Sequence, residues 1–393
     1  MGERDKPAPL PLCRSGWSLY VHVPFCRRRC PYCDFTFAVV REVPGVAYVR
    51  AVLTELDGRA PPFAAQPLRT LYLGGGTPSL LPSEALHLLV QEVAARFGHP
   101  QEVTLEANPE DVTPATAAAW RAAGFTRVSL GVQSFAARHL RWLGRGHDAA
   151  QALAAVAHLR AAGLSNINVD LIFGLDHQDV DDWEGELRHL LDLAPPHVSL
   201  YELTVEAGTR LATWRRRGVA SAGASEDLLL AMMARSEAVL AETLPAYEVS
   251  NRCQPGAHAL HNLMVWQGRP YLGLGVGAHA MWRRDDGSAE RWANGNKVLR
   301  YLRAPLEQVQ VREDIDPLTH LVERLFVALR TRTEIDLWAW APTRALGELM
   351  RPALERLAQQ GLVHWDGQRL VATARGWRLH NALARVLMAV CDP

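Results

Sequence analysis

The sequence predicts an α/β fold: a partial parallel β/α barrel of about six units, followed by a small C-terminal helical, winged-helix-like domain. Two observations carry that expectation. Short β-branched runs alternate with Ala- and Leu-rich amphipathic stretches through the first two thirds of the chain, which is the pattern of βα units around a parallel sheet. Polar and glycine-rich motifs then fall just after the β-branched runs, at the strand carboxyl ends where barrels and open α/β sheets keep their sites.

The strands are expected over 18–24, 69–73, 102–107, 127–132, 166–173 and 197–203, and the helices over 48–57, 83–97, 114–123, 149–162, 181–193 and 226–243. Ser83 ahead of Glu84 and Thr113 ahead of Pro114 read as helix starts with a capping hydroxyl. Residues 1–17 read as a flexible lead, because charges and prolines interrupt any apolar core that a secretory signal would need. The barrel is assigned to 18–245 and an extension to 246–310, glycine-rich over 270–279 and bearing Trp282 and Trp292. In 311–393, a helix ending near Gln360, then Gly361-Leu362-Val363, a turn at Asp366-Gly367 and a returning strand suggest the winged helix. Its helix offers Arg351 and Arg356 against Glu355, too weak a basic footprint for DNA, so a docking module over the barrel mouth is the preferred reading.

Composition sets the outer bounds. At 393 residues and 48% hydrophobic content the chain can bury a large core, and 42 Lys plus Arg against 42 Asp plus Glu leave no global field for nucleic acid or an anionic membrane. No run approaches the ~20 apolar residues that cross a bilayer, so the chain reads as not transmembrane, with peripheral membrane contact left open. Six cysteines, of which Cys13, Cys253 and Cys391 stand apart, fit a reducing compartment, and a cytoplasmic location is expected.

The other three, Cys26, Cys30 and Cys33, crowd into eight residues. Thiolates are the ligands that iron-sulfur clusters select, and three of them supply one fewer than a closed [4Fe-4S] site or structural zinc wants. One iron would therefore stay open to a ligand. Zinc would need a fourth donor, for which His22 is the local candidate, and a disulfide framework belongs to short secreted chains.

Cys-x-x-x-Cys-x-x-Cys, with the aromatic Tyr32 just before the last cysteine, resembles the signature of the radical S-adenosylmethionine enzymes. The resemblance implies a [4Fe-4S] cluster whose open iron is chelated by S-adenosylmethionine, and reductive cleavage to a 5′-deoxyadenosyl radical. Gly74-Gly75-Gly76-Thr77-Pro78 resembles the element by which those proteins hold the methionine amino group, which points to Gly75, Gly76 and Thr77. Glu106, Gln133 and Asp170 lie at or near strand ends, where carboxylates and amides can hold ribose hydroxyls; the plain alternative is that each caps the next helix. Arg145 could pair with the methionine carboxylate through its forked donors, or be an ordinary exposed helix arginine. Tyr20 and Tyr32 complete the set expected around S-adenosylmethionine.

Tyr20-Val-His-Val-Pro-Phe-Cys, Gly-Gly-Gly-Thr-Pro-Ser, Glu-Ala-Asn-Pro, Gly-Val-Gln-Ser-Phe, Leu-Gly-Arg-Gly-His, Asp-Leu-Ile-Phe-Gly-Leu and Gly-Leu-Gly-Val-Gly-Ala-His follow in that order. Together they resemble the oxygen-independent coproporphyrinogen III oxidase (HemN) family over nearly the whole chain. Its decarboxylating members carry a further cysteine two residues beyond the triplet, whereas the heme chaperone branch, HemW, shows the Cys33-Asp34-Phe35 found here. That branch also carries His-Asn-x-x-Tyr-Trp, matched by His261-Asn262-Leu263-Met264-Val265-Trp266 except that valine replaces tyrosine.

The resemblance implies a heme chaperone that binds heme, a [4Fe-4S] cluster and S-adenosylmethionine and passes heme to acceptor apoproteins such as membrane respiratory enzymes. His261 is the expected heme ligand, with His258, His279 and Cys253 as alternatives, and no catalytic residue is assigned. The rival readings are radical decarboxylation of coproporphyrinogen III to protoporphyrinogen IX, and radical chemistry on an unrelated substrate.

Overall fold

The computed structural model describes residue 10 and residues 15–219 and 223–391. Most of the lead expected over 1–17, and Cys13 with it, lies outside the described residues, while Trp17 already opens the first strand. The six strands form close to where the alternation places them: β1 (Trp17–Val23), β2 (Leu68–Gly75), β3 (Glu102–Ala107), β4 (Arg127–Gln133), β5 (Asn166–Phe173) and β6 (His197–Glu202). They run parallel in that order. This is the βα-barrel arrangement expected, left open and extended at both edges.

The extension arises from segments whose strands the sequence leaves undefined. β7 (Asn251–Cys253) pairs antiparallel with β6, and β8 (Tyr271–Gly275) pairs parallel with β1 on its free side. β9 (His279–Arg283), β10 (Ala289–Asn294) and β11 (Val309–Ile315) continue antiparallel from β8, so among the described residues the sheet has eleven strands in the order β11-β10-β9-β8-β1-β2-β3-β4-β5-β6-β7. Position 311 thus lies within the large sheet.

The crossover helices include α1 (Gly45–Arg59), α2 (Ser83–Phe97), α3 (Pro114–Ala123), α4 (Ala137–Trp142), α5 (Ala149–Ala161) and α6 (Val180–Leu193). Thr113 caps α3 as expected, its hydroxyl accepting from the Thr116 N–H in a reciprocal capping box with Pro114 at the first position. Ser83 does not cap. Pro82 occupies the N-cap and Ser83 is the first helical residue, with no side-chain cap hydrogen bond.

Strand faces divide sharply. Leu19, Val21, Val23, Leu71, Leu73, Leu105, Val128, Leu130 and Val169 pack into one core with the helices. The opposite face is polar and hydrogen-bonded: Thr70 to Ser18, Tyr72 to Glu106, Ser129 to Asp170, and Asn168 to His197. Because every second residue of a strand points the same way, one alternation supplies both the core and the inner polar wall.

A second core, with Leu321, Leu325, Leu354, Leu357 and Leu383, is built by helices Pro317–Ala328, Arg344–Gln359 and His380–Met388. A small antiparallel sheet flanks it, with Arg369–Ala372 between Ile335–Asp336 and Val363–Trp365. No described helix is long and apolar enough to cross a membrane.

Candidate functional site

Beyond β1 the chain enters the loop that carries the three cysteines. Its two sides are held together by Ala38 N–H donating to Pro24 O at 2.6 Å and Val40 N–H to Cys26 O at 3.1 Å. The end of β2 runs directly beneath it, with Gly76 N–H donating to Val23 O at 2.8 Å. This close approach explains the glycines: a Cβ on Gly76 would stand 2.8 Å from Phe25 O, and one on Gly75, already at φ +111°, would stand 2.5 Å from the His22 ring.

Over these elements lies a cavity of about 470 Å³ at the carboxyl ends of the strands. Cys26, Cys30, Cys33, Tyr32, Gly75, Gly76, Thr77, Glu106, Gln133, Arg145 and Asp170 all line it. Tyr20 does not. It lies one layer below on the inner wall, its hydroxyl 3.1 Å from His22 Nδ1 and its ring stacked on Tyr72.

The thiols sit in a partly dry setting, where burial pushes Cys26 up and Cys33 up to about 11. Thr77 Oγ1 is 3.6 Å from Cys26 Sγ, and Arg145 Nη1 is 3.8 Å from Cys30 Sγ. Among the described residues, no three His, Cys, Asp or Glu side chains converge tightly enough for a single metal ion. Each thiolate of a [4Fe-4S] cluster takes a different iron, so thiols that share a cavity without meeting at one point suit a cluster. His22 is not the fourth zinc donor considered above: Tyr20 holds its Nδ1, and Thr36 O lies 2.7 Å from its Nε2.

The floor is acidic. Burial holds the Glu106 carboxyl above the usual range, at about 7, against hydrogen bonds from the Tyr72 hydroxyl (2.7 Å) and the Gly75 N–H (3.0 Å). Asp170 is likewise raised by burial while Ser129 and Asn168 donate to it. Gln133 holds the left-handed conformation at φ +69°, and its Oε1 is buried with no partner. Arg145 Nη2 donates to Asn108 Oδ1 and to Gly131 O (2.7 Å), leaving a buried Nε unpartnered. Unsatisfied polar atoms on a cavity wall are what a polar ligand would satisfy.

Several contributors escape sequence reasoning. Asn108 lies inside the Glu-Ala-Asn-Pro motif, yet only the fold shows that it orients Arg145. Glu110 also lines the cavity; burial would raise it, but the bond with His147 and the nearby Arg145 hold it down at about 2. Tyr72 escapes too, although it is the residue that braces Glu106.

His261 lies away from the cavity. The motif forms α7 (Leu260–Trp266), whose first N–H groups are capped by the Glu102 carboxylate at 2.9 Å, at the amino-terminal end of the barrel. His261 is 7% exposed, with Nδ1 2.8 Å from Thr70 Oγ1 and its ring 4.8 Å from that of Tyr72. Thr70 and Gly75 are separated by roughly 16 Å of strand, so the imidazole lies at the opposite end of the barrel from the cavity. Of the alternatives, Cys253 is buried with its thiol pushed up to about 12, His258 packs on Tyr247, and His279 is exposed at the start of β9.

Residues 20–190 match the Radical SAM superfamily, and residues 315–379 match the HemN C-terminal domain. The chain is 36% identical over 396 residues to the heme chaperone HemW of Mycobacterium tuberculosis (strain ATCC 25618 / H37Rv), with 98% of each chain covered. To the heme chaperone HemW of Escherichia coli (strain K12) it is 33% identical over 381 residues, covering 95% of this chain and 98% of that one. Among solved structures, coproporphyrinogen III oxidase (HemN) from Escherichia coli superposes with a TM-score of 0.80 at 22% identity, over 95% of this chain and 90% of that one, and so shares the fold. With the cysteine loop, the glycine strand end and the C-terminal unit all in place, the chain belongs to the HemW family of radical S-adenosylmethionine proteins.

Proposed function

We propose that this protein is a heme chaperone: it carries a [4Fe-4S] cluster, S-adenosylmethionine and heme, and hands the heme to acceptor apoproteins, membrane respiratory enzymes among them. The observation that carries the reading is position 35. A phenylalanine, 61% exposed at the cavity mouth, stands where the decarboxylating relatives carry a further thiol. The relatives named heme chaperone, matched almost end to end, support the same choice.

The radical S-adenosylmethionine family implies the cluster and S-adenosylmethionine, and the donor set fits both. In this reading Cys26, Cys30 and Cys33 hold three irons, and the carbonyls and hydroxyl around Gly75, Gly76 and Thr77 receive the methionine amino group. Gln133 and Arg145 turn their unpartnered polar atoms to the ligand. Glu106 and Asp170 accept ribose hydroxyls, and Tyr32 walls the cavity beside the thiols. When bound, the cluster supplies one electron to S-adenosylmethionine. The proposed location is the cytoplasm, with contact at the membrane through the acceptor.

The test is anaerobic. Cluster-loaded protein is mixed with heme, then separately with coproporphyrinogen III, S-adenosylmethionine and a reductant. Stoichiometric heme binding without protoporphyrinogen formation is expected; turnover at catalytic rates would replace the chaperone with an oxidase.

A further inference from the structure

Where the C-terminal unit meets the extended sheet, several arginines are matched by carboxylates. Arg291 donates to Glu313 at 2.8 Å and to Glu323 at 3.3 Å, and Arg284 and Arg312 both pair with Glu290. Arg324, on the helix Pro317–Ala328, is different. It is 7% exposed and makes no ion pair among the described residues. Its Nη1 donates to Trp340 O at 3.2 Å and its guanidinium lies 4.3 Å from the centre of the Trp340 ring, but its Nε is buried with no partner. A cation taken out of water without an opposite charge is costly, so the arrangement calls for an anion.

Two further guanidiniums come to the same place. Gly268 packs on Arg324, since a Cβ there would stand 2.8 Å from Arg324 Cγ and 3.0 Å from its Nε, and Arg269 is the next residue. β8 and β9 pair antiparallel at Tyr271 and Met281, which brings Arg269 and Arg283 to one end of that pair. Both are half-buried, and the Arg283 side chain makes no hydrogen bond or ion pair among the described residues; the exposed Asp285 is near enough to act on it without pairing. Burial, with Arg283 and Arg269 close by, pulls the Arg324 guanidinium down to about 9. His320, one helical turn earlier, is held down at about 4 by burial with Arg324, Arg283 and Arg291 beside it.

The class of anion follows from the donors. A flat carboxylate is matched by one guanidinium fork, whereas the oxygens of a tetrahedral ion point to several sides and can accept from three forks at once. Arg324 would form the floor of such a site, and the half-buried Arg269 and Arg283 its rim towards solvent. We infer that a phosphate-type oxyanion binds between Arg269, Arg283 and Arg324 and ties the extended sheet to the C-terminal unit. None of the three lines the cavity at the cysteine loop, so the site stands apart from the cluster and is independent of the heme-carrying reading.

The experiment is an isothermal titration of the full-length protein with inorganic phosphate, with chloride at equal ionic strength as the blank. The wild type is expected to bind one equivalent, and Arg283→Gln to bind ~10-fold more weakly, as loss of a charged hydrogen-bond donor requires. Arg283→Lys, which keeps the charge and loses the fork, is expected to fall between them. Arg312→Gln, which removes an exposed guanidinium already paired with Glu290, should bind as the wild type does. Arg324→Gln, checked for folding by circular dichroism, is expected to lose binding, and phosphate should raise its melting temperature less than that of the wild type. No saturable phosphate binding by the wild type at millimolar concentration overturns the inference, as does wild-type affinity in both Arg283→Gln and folded Arg324→Gln.

Discussion

Thr70 Oγ1 and His261 Nδ1 lie 2.8 Å apart inside the amino-terminal end of the barrel, and Thr70 also donates to Ser18 at 2.9 Å. The histidine of the expected heme motif is thus part of the barrel's inner polar wall. Its imidazole is held down at about 3 by burial, so it is neutral wherever the protein is folded near neutral pH.

His261→Ala is expected to cost about 2–4 kcal/mol of stability, through the cavity left under Tyr72 and the lost Thr70 partner. Urea unfolding of the variant beside the wild type checks it. Acid behaviour gives an independent sign. The unfolded chain binds a proton below about 6.5 that the folded protein refuses down to about 3, so His261 makes stability fall as pH drops through that window.

Glu106 works in the other direction. Its folded carboxyl titrates at about 7 because of burial, above the ~4.3 of an unfolded chain, so the folded state holds the extra proton between those values. The contribution is fully present below about 4.3 and is lost as pH rises through 7, a change of roughly 3–4 kcal/mol. Glu106→Gln should therefore flatten the fall in stability of the metal-free protein between pH 4.5 and pH 7 (about the two pKa values above), read by melting temperature across that range, and weaken S-adenosylmethionine binding in the loaded protein.

Gly76→Ala tests the close approach of β2 to the cysteine loop. Its Cβ would stand 2.8 Å from Phe25 O and 2.9 Å from Val23 O, backbone atoms that cannot swing aside. Iron retained after reconstitution is expected to fall well below wild type, with about 1–3 kcal/mol of stability lost. An equal iron content would show that the loop tolerates displacement.

Cys26→Ser, Cys30→Ser and Cys33→Ser should each abolish stable cluster loading. None of the three belongs to a core, so each should leave the fold in place. Visible absorbance and far-ultraviolet circular dichroism, measured together, distinguish that result from general unfolding.

Much of the barrel was legible because β-branched runs and capped amphipathic stretches agree, as at Arg127 to Val132 and at Thr113 with Pro114. Ser83 misled for a physical reason: Pro82 supplies an extended N-cap residue itself, so the serine falls one position inside the helix. The inner polar wall has its own signal in the sequence. Ser18, Tyr20 and His22, then Thr70 and Tyr72, then Glu102, Thr104 and Glu106 alternate with apolar residues, and that pattern departs from the near-continuous apolar strands of a parallel sheet covered on both faces. Read as a period of two, it places Tyr20 on that wall below the cavity.

The cavity residues were legible through strand ends, since Gly75, Glu106 and Gln133 each close a strand or stand one residue from its end. His261 was not, because a local motif carries no information about which end of the barrel its helix will plug. That is decided by Glu102, more than 150 residues away in the chain, capping the first turn of α7. β8 to β11 were equally hidden, being defined by pairing with β1 and with one another.

The most direct test of the heme-chaperone account is a transfer experiment. Protein carrying its cluster and one heme is mixed anaerobically with an apo-acceptor hemoprotein, and the acceptor's heme absorbance is followed while coproporphyrinogen III turnover is assayed in parallel. Heme is expected to pass to the acceptor with no protoporphyrinogen formed; failure to bind or release heme, alongside catalytic formation of protoporphyrinogen, would contradict the account.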